Sequence, residues 1–180
     1  MNSGSFYFVV QKHKATSLHY DFRLEYSGSM ISWSIPKGPT LDSSVKRLAM
    51  PTADHAMEYR KFEGVLPDGY GAGVVMIWDE GTFNPEFEVA KGGREEITER
   101  ARGEVVMADS LKEGNIKFRL YGKKLQGSFA LVRTKGLGGT KEAWLFIKHK
   151  DEFSKKGYDA NDFDISAASG LKLEEIKGKS

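Results

Sequence analysis

Apolar and polar residues alternate through residues 18–26, LHYDFRLEY. One set of positions carries Leu18, Tyr20, Phe22, Leu24 and Tyr26, and the other carries His19, Asp21, Arg23 and Glu25. Because side chains of a β-strand point to opposite faces with a period of two, the segment is predicted to be a strand with one apolar face. Its other face carries an imidazole, two carboxylates and a guanidinium, which is unusual for a merely solvated surface.

Similar short apolar runs recur along the chain and are separated by turn residues. These predicted strands are residues 6–13, 30–36, 73–79, 103–108, 115–122, 127–134 and 143–150. Strands of this length at hairpin spacing are typical of an antiparallel barrel or sandwich. The predicted fold class is mainly β: a compact antiparallel β-barrel of about eight strands with short flanking helices.

Three segments have the composition of short helices. Residues 54–62, DHAMEYRKF, place Asp54 in an N-cap position and put His55 and Tyr59 four residues apart, on one helical face. Residues 93–101, GREEITERA, are predicted to form a charged surface helix. A closing helical turn is expected within SGLKLEEIK near the C-terminus.

The composition is that of an ordinary globular protein. With 180 residues, of which 39% are hydrophobic, the chain can bury a sizeable core. We expect one domain over residues 1–180, with its core at about 8–151 and a polar tail at 152–180. The N-terminus shows no secretory signal and no apolar stretch is long enough to span a membrane, so a soluble, intracellular protein is expected.

Charge and cysteine content restrict the chemistry. The net charge of +2 is too small to indicate a nucleic-acid-binding protein by itself. The chain has no cysteine, which excludes disulfides and thiolate metal sites. Any metal ion must therefore be held by histidine and carboxylate ligands.

Such ligands occur at the start of the chain. If the first strand folds back beside the second, His13 meets His19 and Asp21 on one face. Two imidazoles and one carboxylate suit a divalent ion such as Mn²⁺, Zn²⁺ or Fe²⁺. The alternative is that both histidines are ordinary surface or interface residues.

Further polar residues suit a phosphate group. Arg23 follows on the same strand face, where a fixed guanidinium can bind an anionic oxygen, although a salt bridge with Asp21 or Glu25 is the alternative. His55 and Tyr59 can supply a proton donor and a phenolic hydrogen bond, or form only a packing contact.

Two loops have features of phosphate-binding segments, and only the first is kept as a candidate. Lys37 lies in a Pro-Lys-Gly-Pro turn that can present its ammonium group to phosphate, or that is only a stiff connection. Gly69, Gly71 and Gly73 resemble a phosphate-binding loop, but an apolar strand follows them instead of a helix. A glycine-rich turn or bulge that enters a strand is therefore predicted there.

Longer blocks of the sequence resemble a known family. In order, they are QKHKATSLHYDFRLEYSG, SWSIPKGP, KRLAM, DHAMEYRKFEG, PDGYGAGVVMIWDEGTF and WLFIKHKD. Together they run from about Phe8 to Asp151 and resemble the 3'-phosphoesterase domain of bacterial DNA ligase D. The resemblance implies a β-barrel with a polar groove and Mn²⁺-dependent trimming of DNA 3' ends. Removal of a 3'-terminal ribonucleoside would leave a 3'-phosphate, and removal of that phosphate would leave a 3'-hydroxyl.

The resemblance also implies roles for individual residues. The metal ligands would be His13, His19 and Asp21; the groups that engage the scissile phosphate would be Arg23, His55 and Tyr59; and Gln11, Lys37 and Arg47 would line the groove. Mn²⁺ is the expected cofactor, with Co²⁺ or Zn²⁺ as alternatives.

The expected partners and the departures from the family pattern follow from the same resemblance. The substrate would be a DNA primer-template with a 3'-ribonucleotide or 3'-phosphate end, and a DNA ligase, a polymerase or primase and Ku would be further partners in the cytoplasm, at the nucleoid. Ala53 stands where the family commonly has Glu, and the chain begins only a few residues before Gln11, where many members have a longer arm that engages the primer-template. These departures leave open a 3'-phosphatase without ribonucleoside removal, and a non-catalytic DNA-end-binding module is the other alternative.

Overall fold

The computed structural model describes residues 4–67, 69, 72–135 and 142–177. The strands in these segments are β1 (Phe6–Lys14), β2 (Leu18–Tyr26), β3 (Ser29–Ile35), β4 (Lys46–Ala56), β5 (Gly64–Leu66), β6 (Gly73–Ala90), β7 (Gly93–Glu96), β8 (Asn115–Gly122), β9 (Gln126–Thr134) and β10 (Ala143–Lys148). The helices are α1 (Arg100–Glu113) and three short 3₁₀ helices, Met57–Lys61, Ala160–Phe163 and Leu173–Glu175. None of the helices in the described segments is long and apolar enough to cross a membrane.

Eight of the strands form a closed antiparallel barrel. The order is β1-β2-β3-β4-β10-β9-β8-β6, and the ring closes because β1 also pairs with β6. Strands β5 and β7 pair with β6 outside this ring. The predicted antiparallel barrel of about eight strands is therefore confirmed.

Aromatic side chains fill the inside of the barrel. Phe22 lies with its ring centroid 5.2 Å from that of Phe146 and 5.7 Å from that of Phe118. The Phe118 ring stacks on Phe129 at 5.9 Å. Burial of rings of this size contributes strongly to fold stability, and the middle of the barrel interior is accordingly apolar. Polar groups with a function are therefore expected on the outer face of the barrel or at its two rims.

The segment after β10 packs onto the barrel. Tyr158, Leu173 and Ile176 join the main apolar cluster. Lys12, which is almost fully buried, forms an ion pair of 2.8 Å with Asp164 of this segment. The segment thus covers apolar and charged groups that the barrel alone would expose, while the predicted core boundary at residue 151 stays a prediction.

The prediction of a strand at residues 103–108 is wrong, because these residues lie inside α1. Gly103 and Met107 are the buried positions of the helix and are four residues apart, which is helical spacing. A Cβ at Gly103 would lie 2.8 Å from the ring of Phe6, so the helix approaches β1 closely there. A short apolar run does not by itself distinguish a strand from a buried helix segment.

The predicted helix at residues 93–101 is also wrong. Residues 93–96 form β7, which pairs with the end of β6 across a turn, and α1 begins only at Arg100. Gly92 has a φ of +78°, a left-handed conformation that suits the hairpin turn. Cross-strand pairing to β6 thus overrides the helical tendency of the charged residues.

The helix predicted at residues 54–62 is shorter than expected. β4 continues to Ala56, which is the N-cap of the 3₁₀ helix, so the predicted N-cap role of Asp54 is wrong. The expected contact of His55 with Tyr59 is confirmed, since their ring centroids are 4.4 Å apart. The sequence pattern does not predict β4 itself, because Pro51 within the strand obscures it.

The remaining local predictions agree with the structure where it is described. β6 begins at Gly73, so a strand does follow the glycine-rich segment, while Gly71 lies outside the described residues. A Cβ at Gly73 would collide with the backbone oxygen of Lys14, which explains the glycine. The expected closing helical turn is the 3₁₀ helix Leu173–Glu175.

A buried carboxyl group fixes the turn between β8 and β9. Asp79 of β6 accepts hydrogen bonds from three consecutive backbone N–H groups, those of Lys123 (2.9 Å), Lys124 (3.0 Å) and Leu125 (2.8 Å). Burial nevertheless raises the pKa of Asp79 to about 6, against the effect of these hydrogen bonds.

We expect this group to make stability depend on pH. Between about pH 4 and pH 6 the folded protein keeps the Asp79 proton that the unfolded chain has lost, so the free energy of unfolding falls as pH rises, by up to about 1.4 kcal/mol per unit. Denaturant unfolding of the wild-type protein and Asp79→Asn at several pH values measures this. The wild-type curve should fall relative to the variant over that interval, and parallel curves would contradict the assignment.

Candidate metal and phosphate site

The first hairpin places the candidate ligands side by side on the outer face of the barrel. In the β1–β2 pairing His13 lies opposite His19, and Gln11 lies opposite Asp21. Residues directly opposite each other in an antiparallel pair share a face. Because the neighbouring positions Tyr20 and Phe22 point into the core, the polar set must point outward.

His13, His19 and Asp21 form a cluster of three candidate metal ligands, here called the metal-ligand cluster. Asp21 Oδ2 lies 3.7 Å from His13 Nδ1 and 3.3 Å from His19 Nε2, and one ligand atom from each residue lies within 4.8 Å of the others. His13 and Asp21 are buried, so they are not ordinary surface side chains. The predicted grouping is confirmed, and two imidazoles with one carboxylate fit a borderline-hard divalent metal.

The cluster is electrostatically prepared for a cation. Burial opposes ionisation of Asp21, but hydrogen bonds from the two histidines and the nearby guanidinium outweigh it, so the pKa of Asp21 lies well below its ordinary value. The hydrogen bond to Asp21 raises the pKa of His19, against its partial burial. A charged carboxylate between two imidazoles favours a positive charge at this position, whether a proton or a metal ion.

Arg23 continues the cluster along β2 and is almost fully buried, with 3% of the residue exposed. Its Nε donates to Gln11 Oε1 at 2.6 Å and its Nη1 donates to Ser32 Oγ at 2.8 Å. Its Nη2 lies 3.5 Å from Asp21 Oδ2, so the predicted alternative of an ion pair with Asp21 is present as well. These contacts fix the plane of the guanidinium and leave Nη2, on the side of Asp21, as the nitrogen that can donate to a phosphate oxygen.

His55 connects Arg23 with the end of β4. Its Nδ1 lies 3.0 Å from Arg23 Nη1 and 3.1 Å from the carbonyl oxygen of Ala53, contacts that require opposite tautomers. Partial burial and the charge of Arg23 lower the pKa of His55, which favours the neutral ring. In that form Nδ1 accepts from Arg23 and the remaining proton is on Nε2.

Tyr59 completes the group from the Met57–Lys61 helix. The guanidinium carbon of Arg23 lies 5.1 Å from the centroid of the Tyr59 ring, and Phe62 stacks on the same ring at 5.3 Å. Gln11 Nε2 donates to the carbonyl oxygens of Tyr59 (2.8 Å) and Phe62 (3.1 Å), and thereby ties the helix to β1. Burial raises the pKa of Tyr59, so its hydroxyl stays a hydrogen-bond donor.

The structure does not bring all predicted groove residues together. Lys37 is exposed in the turn after β3, which closes with a hydrogen bond from Gly38 N–H to the Ile35 carbonyl. Arg47 lies opposite the core residue Phe146 in the β4–β10 pair, so its side chain is on the inner face of the barrel and not on the outer face of the cluster. The roles of Lys37 and Arg47 stay predictions.

Two residues near the site have structural roles that the sequence pattern does not single out. Ser32, opposite Arg23 in the β2–β3 pair, holds the guanidinium. The alternation of apolar and polar residues along β3 places Ser32 on the outer face, and that position could have indicated its contact with Arg23. Glu63 follows Phe62 and accepts hydrogen bonds from Ile77 N–H (2.8 Å) and Ser166 Oγ (2.6 Å), and from Ser169 Oγ. No sequence pattern connects Glu63 with serines about a hundred residues away.

Removal of the Glu63 carboxylate should loosen the C-terminal segment. Glu63→Ala loses three hydrogen bonds that join β6, the Met57–Lys61 helix region and the 166–169 turn, so we expect a loss of about 1–3 kcal/mol in the free energy of unfolding. Denaturant unfolding and limited proteolysis of the C-terminal segment measure the effect. Glu58→Ala, at an exposed position of the same helix, is the matched control and should change neither.

Comparison with known proteins finds one matching family and several relatives named LigD. A family described as "DNA Ligase D 3'-phosphoesterase domain" matches residues 11–133, which include all nine predicted site residues. The multifunctional non-homologous end joining protein LigD of Pseudomonas aeruginosa is 42% identical over 151 residues, 83% of this chain and 16% of that protein. Proteins of the same name from Mycobacterium bovis and Mycolicibacterium smegmatis are 37% identical over 153 residues and 36% identical over 176 residues.

The alignments cover most of this chain but only a small part of each relative. The alignments cover 84% and 96% of this chain for the two mycobacterial relatives, but 17% and 20% of those proteins. The chain therefore spans between about a sixth and a fifth of the length of the curated relatives it matches.

Proposed function

Because the chain belongs to the DNA ligase D 3'-phosphoesterase domain family, we propose that it is a hydrolase that heals DNA 3' ends for non-homologous end joining. In this proposal it removes a 3'-terminal ribonucleoside to leave a 3'-phosphate, and then removes the phosphate to leave a 3'-hydroxyl. The substrate is a DNA primer-template, and a DNA ligase, a polymerase or primase and Ku are the proposed partners at the nucleoid.

One observation carries the proposal. His13, His19 and Asp21 form a three-ligand cluster that is contiguous with the buried guanidinium of Arg23. A cation site next to a fixed arginine is the arrangement that hydrolysis of a phosphate ester needs, because negative charge on the phosphoryl oxygens must be bound and compensated. Oxygen and nitrogen ligands fit Mn²⁺, which we propose as the cofactor.

When bound, a divalent ion at this cluster supplies Lewis-acid polarisation of a phosphate oxygen and a water of lowered pKa. The chain's own residues hold the ester in place. Arg23 binds the non-bridging oxygens with a guanidinium whose plane is set by Gln11 and Ser32. This arrangement needs no reorganisation of the arginine when the substrate arrives.

His55 and Tyr59 act on the other side of the arginine. With Nδ1 accepting from Arg23, the Nε2–H group of the neutral His55 can donate a hydrogen bond to the leaving oxygen, and the Tyr59 hydroxyl donates a hydrogen bond to the phosphate. Stacking against Phe62 keeps the Tyr59 ring in place. His55 thus stabilises charge on the leaving oxygen, and Tyr59 stabilises charge on the phosphate.

The test is a 5'-labelled primer-template whose primer ends in one ribonucleotide, incubated with Mn²⁺ and, as a control, with chelator. Conversion to a shorter 3'-phosphate product and then to a 3'-hydroxyl product supports both steps. Loss of phosphate only from primers that already carry a 3'-phosphate would identify a phosphatase. Metal-dependent binding without any product would identify an end-binding module.

The variant Tyr59→Phe tests the role of the Tyr59 hydroxyl group independently of the aromatic ring. The variant keeps the contacts with Arg23 and Phe62 but loses a hydrogen bond to a charged group, so we expect a decrease in kcat of about 10- to 100-fold. Rates of 3'-phosphate release with saturating substrate measure it. Unchanged kcat would mean that the hydroxyl does not touch the reacting phosphate.

A further inference from the structure

A pair of inward-pointing residues lies directly beneath the metal-ligand cluster. Lys12 and Tyr20 are opposite each other in the β1–β2 pairing, and the adjacent positions along the two strands are His13, His19 and Asp21. Because successive side chains of a strand point to opposite faces, Lys12 and Tyr20 point into the barrel while their neighbours carry the ligands outside. A movement of this pair therefore also moves the ligands.

Both residues of the pair are held by the C-terminal segment. Tyr20 donates from its hydroxyl to Asn161 Oδ1 at 2.7 Å, and Lys12 Nζ donates to the same oxygen at 3.4 Å. Lys12 Nζ also lies 2.8 Å from Asp164 Oδ1 and 5.3 Å from the centroid of the Tyr20 ring. One short stretch, residues 161–164, thus supplies polar partners to both side chains.

The charge of Lys12 makes these contacts necessary. The residue is only 4% exposed, and an ammonium group removed from water is tolerated only beside a compensating charge and hydrogen-bond acceptors. Among the described residues, Asp164 is the one carboxylate that forms an ion pair with it. Without these partners the ammonium group would move toward water and displace β1 at this position.

The same segment supports the turn that follows β3. Gly38 has a φ of +84°, and a Cβ there would lie 3.0 Å from the side chain of Ala160 and 3.0 Å from the ring of Tyr20. A little farther along, the N–H of Gly157 donates to Asp42 Oδ2 at 2.9 Å. The C-terminal segment is therefore bound both to β2 and to the loop after β3.

We propose that Asn161 and Asp164 are positioning residues of the metal-ligand cluster and act on it through Tyr20 and Lys12. The inference rests on the proposed function, in which the cluster holds the metal ion. Asn161 and Asp164 fix the backbone that carries the ligands, whose atoms must keep their places to within about 0.2 Å for a metal ion to bind well. Part of the site is thus built by residues beyond the range 11–133 that the family matches.

The experiment compares the wild-type protein with Asn161→Ala, which removes the shared acceptor, and Asp164→Asn, which removes only the charge. Proton–nitrogen correlation spectra of the imidazole groups, recorded without metal, report the surroundings of His13 and His19, and a Mn²⁺ titration gives the affinity. In both variants we expect these two signals to shift and the Mn²⁺ affinity to fall by about tenfold. The signals of His149 should stay unchanged.

Two further variants serve as controls. Asn161→Asp keeps an acceptor oxygen for Tyr20 and Lys12, so it should keep the wild-type imidazole signals and Mn²⁺ affinity. Asp162→Asn changes an exposed carboxylate on the same 3₁₀ helix and should alter neither. Melting temperatures of all variants show separately how much each contact stabilises the fold.

A lower melting temperature with unchanged imidazole signals and unchanged Mn²⁺ affinity would overturn the proposal, because the C-terminal segment would then stabilise the fold without positioning the ligands. An equal effect of Asp162→Asn would overturn it as well. Absence of Mn²⁺ binding by the wild-type protein would instead contradict the proposed function. The spectra of the metal-free protein would still decide whether Asn161 and Asp164 position the cluster.

Discussion

Replacement of His19 by alanine should lower hydrolysis of DNA 3' ends by at least about 10³-fold. The variant removes one of three candidate metal ligands, and a bound ion accounts for several kcal/mol of transition-state stabilisation in such reactions. The fold should tolerate the change, because the imidazole is partly exposed and its contacts are with Asp21, Ser17 and the edge of the His13 ring. Both proposed reactions should fail together, since both need the same ion.

The measurement combines product formation with Mn²⁺ binding, followed by the loss of the free-ion electron paramagnetic resonance signal. His149→Ala is the matched control, because this histidine follows β10 and takes no part in the cluster. It should keep both Mn²⁺ binding and activity. A His19→Ala protein with Mn²⁺-dependent turnover close to that of the wild type would refute the assignment of the ligands.

Arg23→Lys is expected to cause the second-largest effect, a decrease in kcat of about 10²- to 10³-fold. Arg23 donates from Nε to Gln11 and from Nη1 to Ser32 and His55, a planar arrangement that a single ammonium group cannot reproduce. Lysine keeps the charge beside Asp21, so the variant tests geometry and not only charge.

Steady-state rates and the melting temperature of the variant should be measured together. Ser32→Ala serves as the comparison, because it removes one neighbour of the guanidinium but leaves Arg23 in place. This variant should lower kcat by at most about tenfold. If Arg23→Lys retains the wild-type kcat, Arg23 is a structural ion-pair partner of Asp21 and the proposed phosphate contact is wrong.

The first hairpin shows how much of the site could be predicted from the sequence. Strict alternation in residues 18–26 fixes which side chains share a face, and a three-residue turn fixes the pairing of His13 with His19. The grouping of three ligands with Arg23 therefore follows from local pattern alone. Helical spacing correctly pairs His55 with Tyr59, although a strand end and a 3₁₀ turn bring them together.

The remaining contacts depend on pairing between distant segments. Ser32 contacts Arg23 because β3 follows β2 in register, but Glu63 meets Ser166 only through the path of the C-terminal segment across the barrel. Residues 103–108 form a helix because Gly103 and Met107 can pack on the barrel, which the short run does not reveal. Tertiary packing decides whether such a short segment becomes a helix or a strand and which distant residues meet. The local sequence pattern carries little signal for either outcome.

Closure of the barrel also has a consequence for the order in which the molecule forms. The β1–β2 hairpin is local, so the three candidate ligands can meet as soon as a short loop closes. The β1–β6 pair joins His13 to Val75 and must wait until the chain between them is ordered. The β4–β10 pair joins Lys46 to Ile147, which are still farther apart in the chain, so we expect the slow step of folding to be closure of the barrel through these two long-range pairs. In that case the ligand cluster is among the earliest parts of the protein to assemble, and the buried environment around it among the last.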